Sequence, residues 1–313
     1  ASQPNLVSKE INSAENSEVY TLFNGYLKHT DVLTMGTGPT VDNFGFSLTN
    51  FNLSSQTDKF LTNAPTTQNA NVNDYGTIAF LAPNKNVELI NLQYVDSDGV
   101  GLGQENVNLT EANGAYDGTY KAISQQQLIY FGCFPGNLQN WSTVFNGSGV
   151  INNIKGGYIR VQAKDLAGNR ESQSYFINVN CDDLKGYESI RLCWLNQWGA
   201  WDYYTFTKKS TRNITTQGTT YEQLEGSWNS SRYRVDSYKG GKKAFRVNAT
   251  ERISINTDFV SEDFNIMFEE LINSPEVYML EGYENISEVF SALNQYVTPV
   301  RLTTSSFTRK TIA

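Results

Sequence analysis

The stretch Glu188–Ser210 constrains this chain most, because it reads as a β-hairpin that is apolar on both faces. Ile190, Leu192 and Trp194 alternate with Arg191, Cys193 and Leu195, the two-residue period of a strand. Asn196-Gln197-Trp198-Gly199-Ala200 supplies turn chemistry, with Gly199 free to adopt positive φ. Trp201, Tyr203 and Thr205 then alternate with Asp202, Tyr204 and Phe206 before Lys208 and Lys209 return the chain to water. A hairpin with no polar face belongs between two layers, so the rest of the fold must supply a cover on each side. Its six aromatics between Trp194 and Phe206 read first as packed core, since large rings dominate core energetics. The other reading is a sugar-stacking platform built on Trp198, Trp201 and Tyr203.

Composition supports a mainly β chain. Phe and Tyr together number 35 of 313 residues, and aromatic residues favour strands over helices. Only 18% of residues are charged, so the surface must be largely uncharged polar, as in extracellular or virion β-proteins. A net charge of −8 argues against a nucleic-acid partner. No apolar run approaches the length of a membrane span, so no membrane partner is expected. The start at Ala1 carries no signal-peptide pattern, and any such segment is expected to have been removed.

Cys133, Cys181 and Cys193 are odd in number and widely spaced. They read as buried free thiols, with a Cys181–Cys193 bridge as the alternative. Eight Asn-x-Ser/Thr sequons, the first at Asn52 and the last at Asn285, admit glycosylation as one reading, though several are expected by chance in a chain this rich in Asn, Ser and Thr.

Along the chain, residues 1–75 are polar and irregular, with short strand-like runs at Val19–Phe23 and Phe44–Leu48. They lack the contiguous apolar surface for a separate core, so they are expected to lie along a neighbouring subunit or the following domain. Thr77–Leu81, Val87–Val95 and Leu128–Phe131 read as core strands. Asp96-Ser97-Asp98-Gly99 resembles the opening of a calcium loop. However, position twelve from Asp96 is Val107 rather than a bidentate Glu, so a hairpin turn is expected. Tyr158–Ala163 and Tyr175–Val179 alternate on either side of the turn Asp165–Arg170.

The passage YIRVQAKDLAGNRESQSYFINV, residues 158–179, resembles the closing hairpin of bacterial and phage immunoglobulin-like domains. That resemblance implies a β-sandwich over residues 76–181. Residues 182–313 read as a second β-rich domain. Within it Tyr221–Trp228, Tyr233–Tyr238 and Ala244–Val247 are expected as short strands with Gly-rich turns. One helix starts near Ser261, with Phe264, Met267, Phe268, Leu271 and Ile272 forming an apolar stripe that Pro275 ends. Ile286–Leu293 fits a second helix, and Val300–Phe307 is strand-like. Because that run ends so close to Ala313, more polypeptide is expected to follow. The expected class is therefore mainly β, an immunoglobulin-like sandwich plus a β-rich domain with one or two short helices.

Three passages taken together resemble virion structural proteins, usually tail-associated, of marine and Bacteroidota-infecting phages. They are YGTIAFLAPNKNVELINLQYVDSDG, RLCWLNQWGAWDYYTFTKKS, and NTDFVSEDFNIMFEELINSPEVYML followed by PVRLTTSSFTRKT. The resemblance implies a non-enzymatic tail, neck or baseplate component within the virion. Its partners would be other virion proteins and further copies of itself.

The sequence offers little material for catalysis. A single His29 leaves nothing for a multi-His metal site or a Ser-His-Asp triad. Gly99–Gly103 lacks the spacing of a dinucleotide fingerprint, and no cofactor is expected. Paired-carboxylate glycoside hydrolysis has no pair singled out by sequence. The alternative function is a carbohydrate-binding or adhesin module that stacks a host-surface glycan on the aromatic platform.

Overall fold

Period-two alternation and turn chemistry account for most of the observed elements. The computed structural model describes residues 51, 53–82, 87–109, 128–147, 149–181, 187–226, 231–232, 234–235, 240–280 and 297–304. The fold is mainly β and sandwich-like. In chain order the first elements are β1 (Thr67–Ala70), β2 (Thr77–Leu81), β3 (Leu89–Val95), β4 (Gly101–Asn108) and β5 (Leu128–Gly132). Three short helices follow, α1 (Pro135–Trp141), α2 (Thr143–Gly147) and α3 (Val150–Asn153). Next come β6 (Tyr158–Lys164), β7 (Tyr175–Val179), β8 (Ile190–Leu195) and β9 (Trp201–Phe206). The chain continues with β10 (Thr211–Gln223), β11 (Gly241–Ser254), α4 (Phe264–Asn273), β12 (Val277–Leu280) and β13 (Val297–Pro299).

A five-stranded sheet in the order β1-β7-β6-β3-β4 packs against the β2-β5 pair. Ile90, Leu92 and Tyr94 of β3, Ile159 and Val161 of β6, and Ile177 of β7 share one core with Ile78, Phe80 and Ile129. The β3–β4 turn is the one expected. Asp96 Oδ1 accepts from the Asp98 and Val100 amides, and Gly99 takes φ 82°. In the β6–β7 turn Asp165 accepts from the Asn169 amide at 2.6 Å. The three helices between β5 and β6 carry no long apolar period, and the sequence did not mark them.

The described part of the N-terminal segment, residues 51–75, is built into this body. β1 pairs in parallel with β7 at the sheet edge, and Phe51, Leu53, Phe60, Leu61 and Ala70 are buried. Its apolar residues are too irregularly spaced to show a period, so the sequence did not reveal their burial. The strand-like runs at Val19–Phe23 and Phe44–Leu48 lie outside the described residues, as does the second helix at Ile286–Leu293.

The β8–β9 hairpin sits between layers. On one face Ile190, Leu192, Trp194 and Phe206 pack with Met267, Phe268 and Leu271 of α4 and with Val277 and Met279 of β12. At its turn Ala200 and Trp198 pack with Phe51, Leu61, Ala79 and Leu81, the reverse side of the β2-β5 pair. α4 starts at Phe264, three residues after the expected Ser261 cap, because a turn over Ser261–Asn265 precedes it. Ser274 before Pro275 is extended and ends the helix. All three cysteines are free. Cys133 and Cys193 are buried, but Cys181 is exposed at the end of the sandwich, contrary to the expectation of three buried thiols.

The largest departure from the sequence reading is β10–β11. In place of short strands at Tyr221–Trp228 and Ala244–Val247, residues 211–254 contain one antiparallel ribbon of 13 and 14 residues, with a register shift between Thr219 and Thr220. The run expected at Tyr233–Tyr238 lies largely outside the described residues. At about 3.3 Å per residue the ribbon is about 45 Å long. Both of its faces lie in water, so no apolar–polar alternation marks it in the sequence.

Candidate functional site

The three platform candidates are not presented to solvent as a group. Trp201 and Tyr203 lie on the face of β9 that turns toward β2, while Trp198 lies in the hairpin turn; all three are half-buried. Trp198 packs on Phe51 with ring centroids 4.4 Å apart, and Trp201 meets the edge of Tyr278 at 5.7 Å. Tyr203 packs against Phe134 at 5.6 Å, and its hydroxyl hydrogen-bonds Thr77 Oγ1 at 3.0 Å. Sugar stacking needs an open ring face, and these rings are engaged with other side chains.

Two buried polar nodes pin the hairpin instead. In the first, the Arg191 guanidinium is buried under Phe134 and Tyr203, 4.8 Å and 5.1 Å from their centroids. It donates to Tyr75 O at 2.8 Å and to Thr205 Oγ1 at 2.6 Å, and pairs with Asp74 at 3.3 Å. This ties residues 74–75 to the hairpin. In the second, Asp202 accepts from Thr62 Oγ1 at 2.6 Å, and Glu270 of α4 accepts from Asn63 Nδ2 at 2.6 Å. Asn196 Nδ2 donates to Leu61 O at 2.9 Å, so residues 61–63 are held from three directions.

Asp202 and Glu270 form a carboxylate pair that the sequence did not single out. Burial, reinforced by the facing Glu270 carboxylate, pushes the Asp202 carboxyl up to about 8, against the pull of hydrogen bonds from Thr62 and Asn196. Glycoside hydrolysis needs its two carboxylates on an open cleft. Here Asp202 is 3% exposed and Glu270 is 0% exposed, so the pair is sealed inside the fold. Among the described residues no group of three or more His, Cys, Asp or Glu is placed to hold a metal ion. Nor is any helix among them long and apolar enough to cross a membrane.

The open surface lies at and beyond the foot of the ribbon. A cleft of about 700 Å³ runs between α4, the end of β11 and residues 301–304, floored by Leu192, Phe206, Ile253 and Phe268. Glu262 and Arg301 are its only ionisable lining residues among those described. The ribbon is rooted there by charge. Arg212 reaches Glu188 at 2.7 Å and Glu251 at 3.1 Å, and Lys208 pairs with Asp258 at 2.7 Å. Along its length nearly every residue is exposed, including Ile214, Phe245 and Val247. In the register, Ile214, Thr216 and Gly218 sit opposite Glu251, Ala249 and Val247. The signal that could have found the ribbon is β-branched content, in Thr211, Ile214, Thr215, Thr216, Thr219 and Thr220, answered by Val247, Thr250 and Ile253.

No protein-family model matches this chain, and comparison with curated proteins and with solved structures finds no significant match.

Proposed function

We propose that this chain is a non-enzymatic structural subunit of a phage particle, a tail, neck or baseplate component that works by symmetric assembly. In this reading the sandwich is immunoglobulin-like and serves as the rigid body. Copies of the chain join one another and other virion proteins. The observation that carries the proposal is the β10–β11 ribbon. A two-stranded ribbon is marginal by itself in water, and three or more strands or a packed face are normally needed. This one extends through 13 residue pairs with both faces in solvent and with large apolar side chains on display. Such an element gains its order when a neighbour covers it.

The test is sedimentation velocity on the full chain and on a variant in which residues 213–252 are replaced by an Asn-Gly turn. The full chain should form a closed oligomer at micromolar concentration. The shortened variant should sediment as a monomer and keep the β-rich circular dichroism of the body. A full chain that stays monomeric throughout, or a shortened variant that assembles equally well, would overturn the proposal.

A further inference from the structure

The ribbon and the body differ in charge. Residues 211–254 hold eight Lys or Arg and four Asp or Glu, a net charge of +4. The whole chain carries −8, which leaves −12 on the remainder. On one face of the ribbon Lys243 and Arg246 sit beside Phe245 and Tyr221, which are 78% and 44% exposed, while Lys242 and Val247 lie on the other face. An apolar patch rimmed by charge marks an interaction surface rather than a solvated strand.

The body carries a surface of the opposite make-up just before and along the start of α4. Phe259 is fully exposed, and Val260 and Ile266 are 38% and 45% exposed. The rim of this apolar patch is acidic at Glu262 and Asp263, both exposed, whereas exposed Asp258 is already paired with Lys208. Clefts of about 700 Å³ and about 580 Å³ flank it, and Glu262 and Asn265 line both. The ribbon and the patch are exposed together in one chain, so the ribbon does not cover the patch of its own copy.

We propose that the ribbon of one copy seats on the Phe259–Ile266 patch of a second copy, with Phe245 and Tyr221, which share one face of the ribbon, against Phe259, Val260 and Ile266. Lys243 and Arg246, on that same face, then meet Glu262 and Asp263. This rests on the reading of the chain as a self-assembling subunit, and it names the surface that receives the arm. Donor and acceptor surfaces differ, so the contact is head-to-tail and generates a ring when the rotation closes. Charge complementarity of this kind sets register and excludes wrong partners.

Two charge-reversed full-length chains test it. One carries Lys243→Glu and Arg246→Glu; the other carries Glu262→Lys and Asp263→Lys. By sedimentation, each alone should self-associate about a hundredfold or more weakly than the unaltered chain, since like charges would meet across the contact. Mixed in equal amounts they should associate again, because each arm now meets a patch of opposite sign. Phe259→Ser leaves every charge in place and should weaken association about tenfold. Circular dichroism establishes that all three variants are folded. If the unaltered chain associates and the patch variants associate as it does, this docking site is wrong while the assembly reading stands. A mixture that fails to associate would also overturn the site. An unaltered chain that never associates would remove both.

Discussion

Trp194→Ala is expected to destabilise the protein by about 3–5 kcal/mol in chemical denaturation, the range for deleting a large aromatic from a packed core. Trp194 is 0% exposed and is the largest of the fully buried side chains. It sits where β8 meets β12, paired across the ladders with Asp202 and Val277. Its indole Nε1 makes no hydrogen bond among the described residues. The loss is therefore one of apolar burial plus the cavity left behind, and Trp194→Phe should recover much of it. Phe206→Ala belongs in the same range. Its ring lies 4.8 Å from Tyr204 and 6.4 Å from Phe268, inside the same cluster. Trp198→Ala should cost less, about 1–2 kcal/mol, because that ring is half-buried at the hairpin turn. Equal and small losses at all three positions would mean that the hairpin is a surface feature.

The second large effect is a fall in stability as pH rises. Asp202 holds its proton in the folded state up to about 8, against 3.8 for an ordinary Asp carboxyl. Between those values the folded protein binds a proton that the unfolded chain has released. Stability is therefore greatest at the acidic end of this window and is lost as pH climbs through it. The slope from this group is at most about 1.4 kcal/mol per pH unit, and its integrated effect is on the order of 5 kcal/mol. Asp202→Asn keeps an acceptor for Thr62 and removes the charge facing Glu270. The variant should be more stable than the unaltered protein at pH 8, with a shallower profile between pH 5 and 8. Urea midpoints measured across that range decide it. Parallel profiles for the two proteins would show that Asp202 does not titrate in this window.

The hairpin was legible because its chemistry is local. Alternation from Ile190 to Leu195 and from Trp201 to Phe206, with Gly199 between them, specifies strands and turn without help from the rest of the chain. The same holds for β3, β6 and β7, and for the stripe on α4. What was not legible depends on contacts distant in sequence. Asp202 and Glu270 are 68 residues apart, and neither spacing nor composition links them. Arg191 and Asp74 are 117 residues apart, and a lone Arg in an apolar strand does not announce its partner. Phe51 and Leu61 are isolated apolar residues in a polar stretch, yet both help to cover the hairpin turn. The ribbon escaped for a different reason. Period-two patterning reports one buried face, and a strand exposed on both faces has no pattern to show. Its Thr-rich composition carried the information, and polarity concealed it.

That blind spot bears on the proposed function, in which a neighbouring copy covers the element that is exposed on both faces. The body explains its own stability through the hairpin and its two polar nodes. Among the described residues the ribbon has no such packing, and in the proposed assembly its positive charge meets the acidic surface of a neighbour. Electron microscopy of the native phage particle, with gold-labelled antibody against this chain, tests the central claim most directly. Labels are expected at one repeated level of the particle, the tail, neck or baseplate, with several copies arranged about its axis. A chain found solely as a dispersed monomer outside the particles would contradict it.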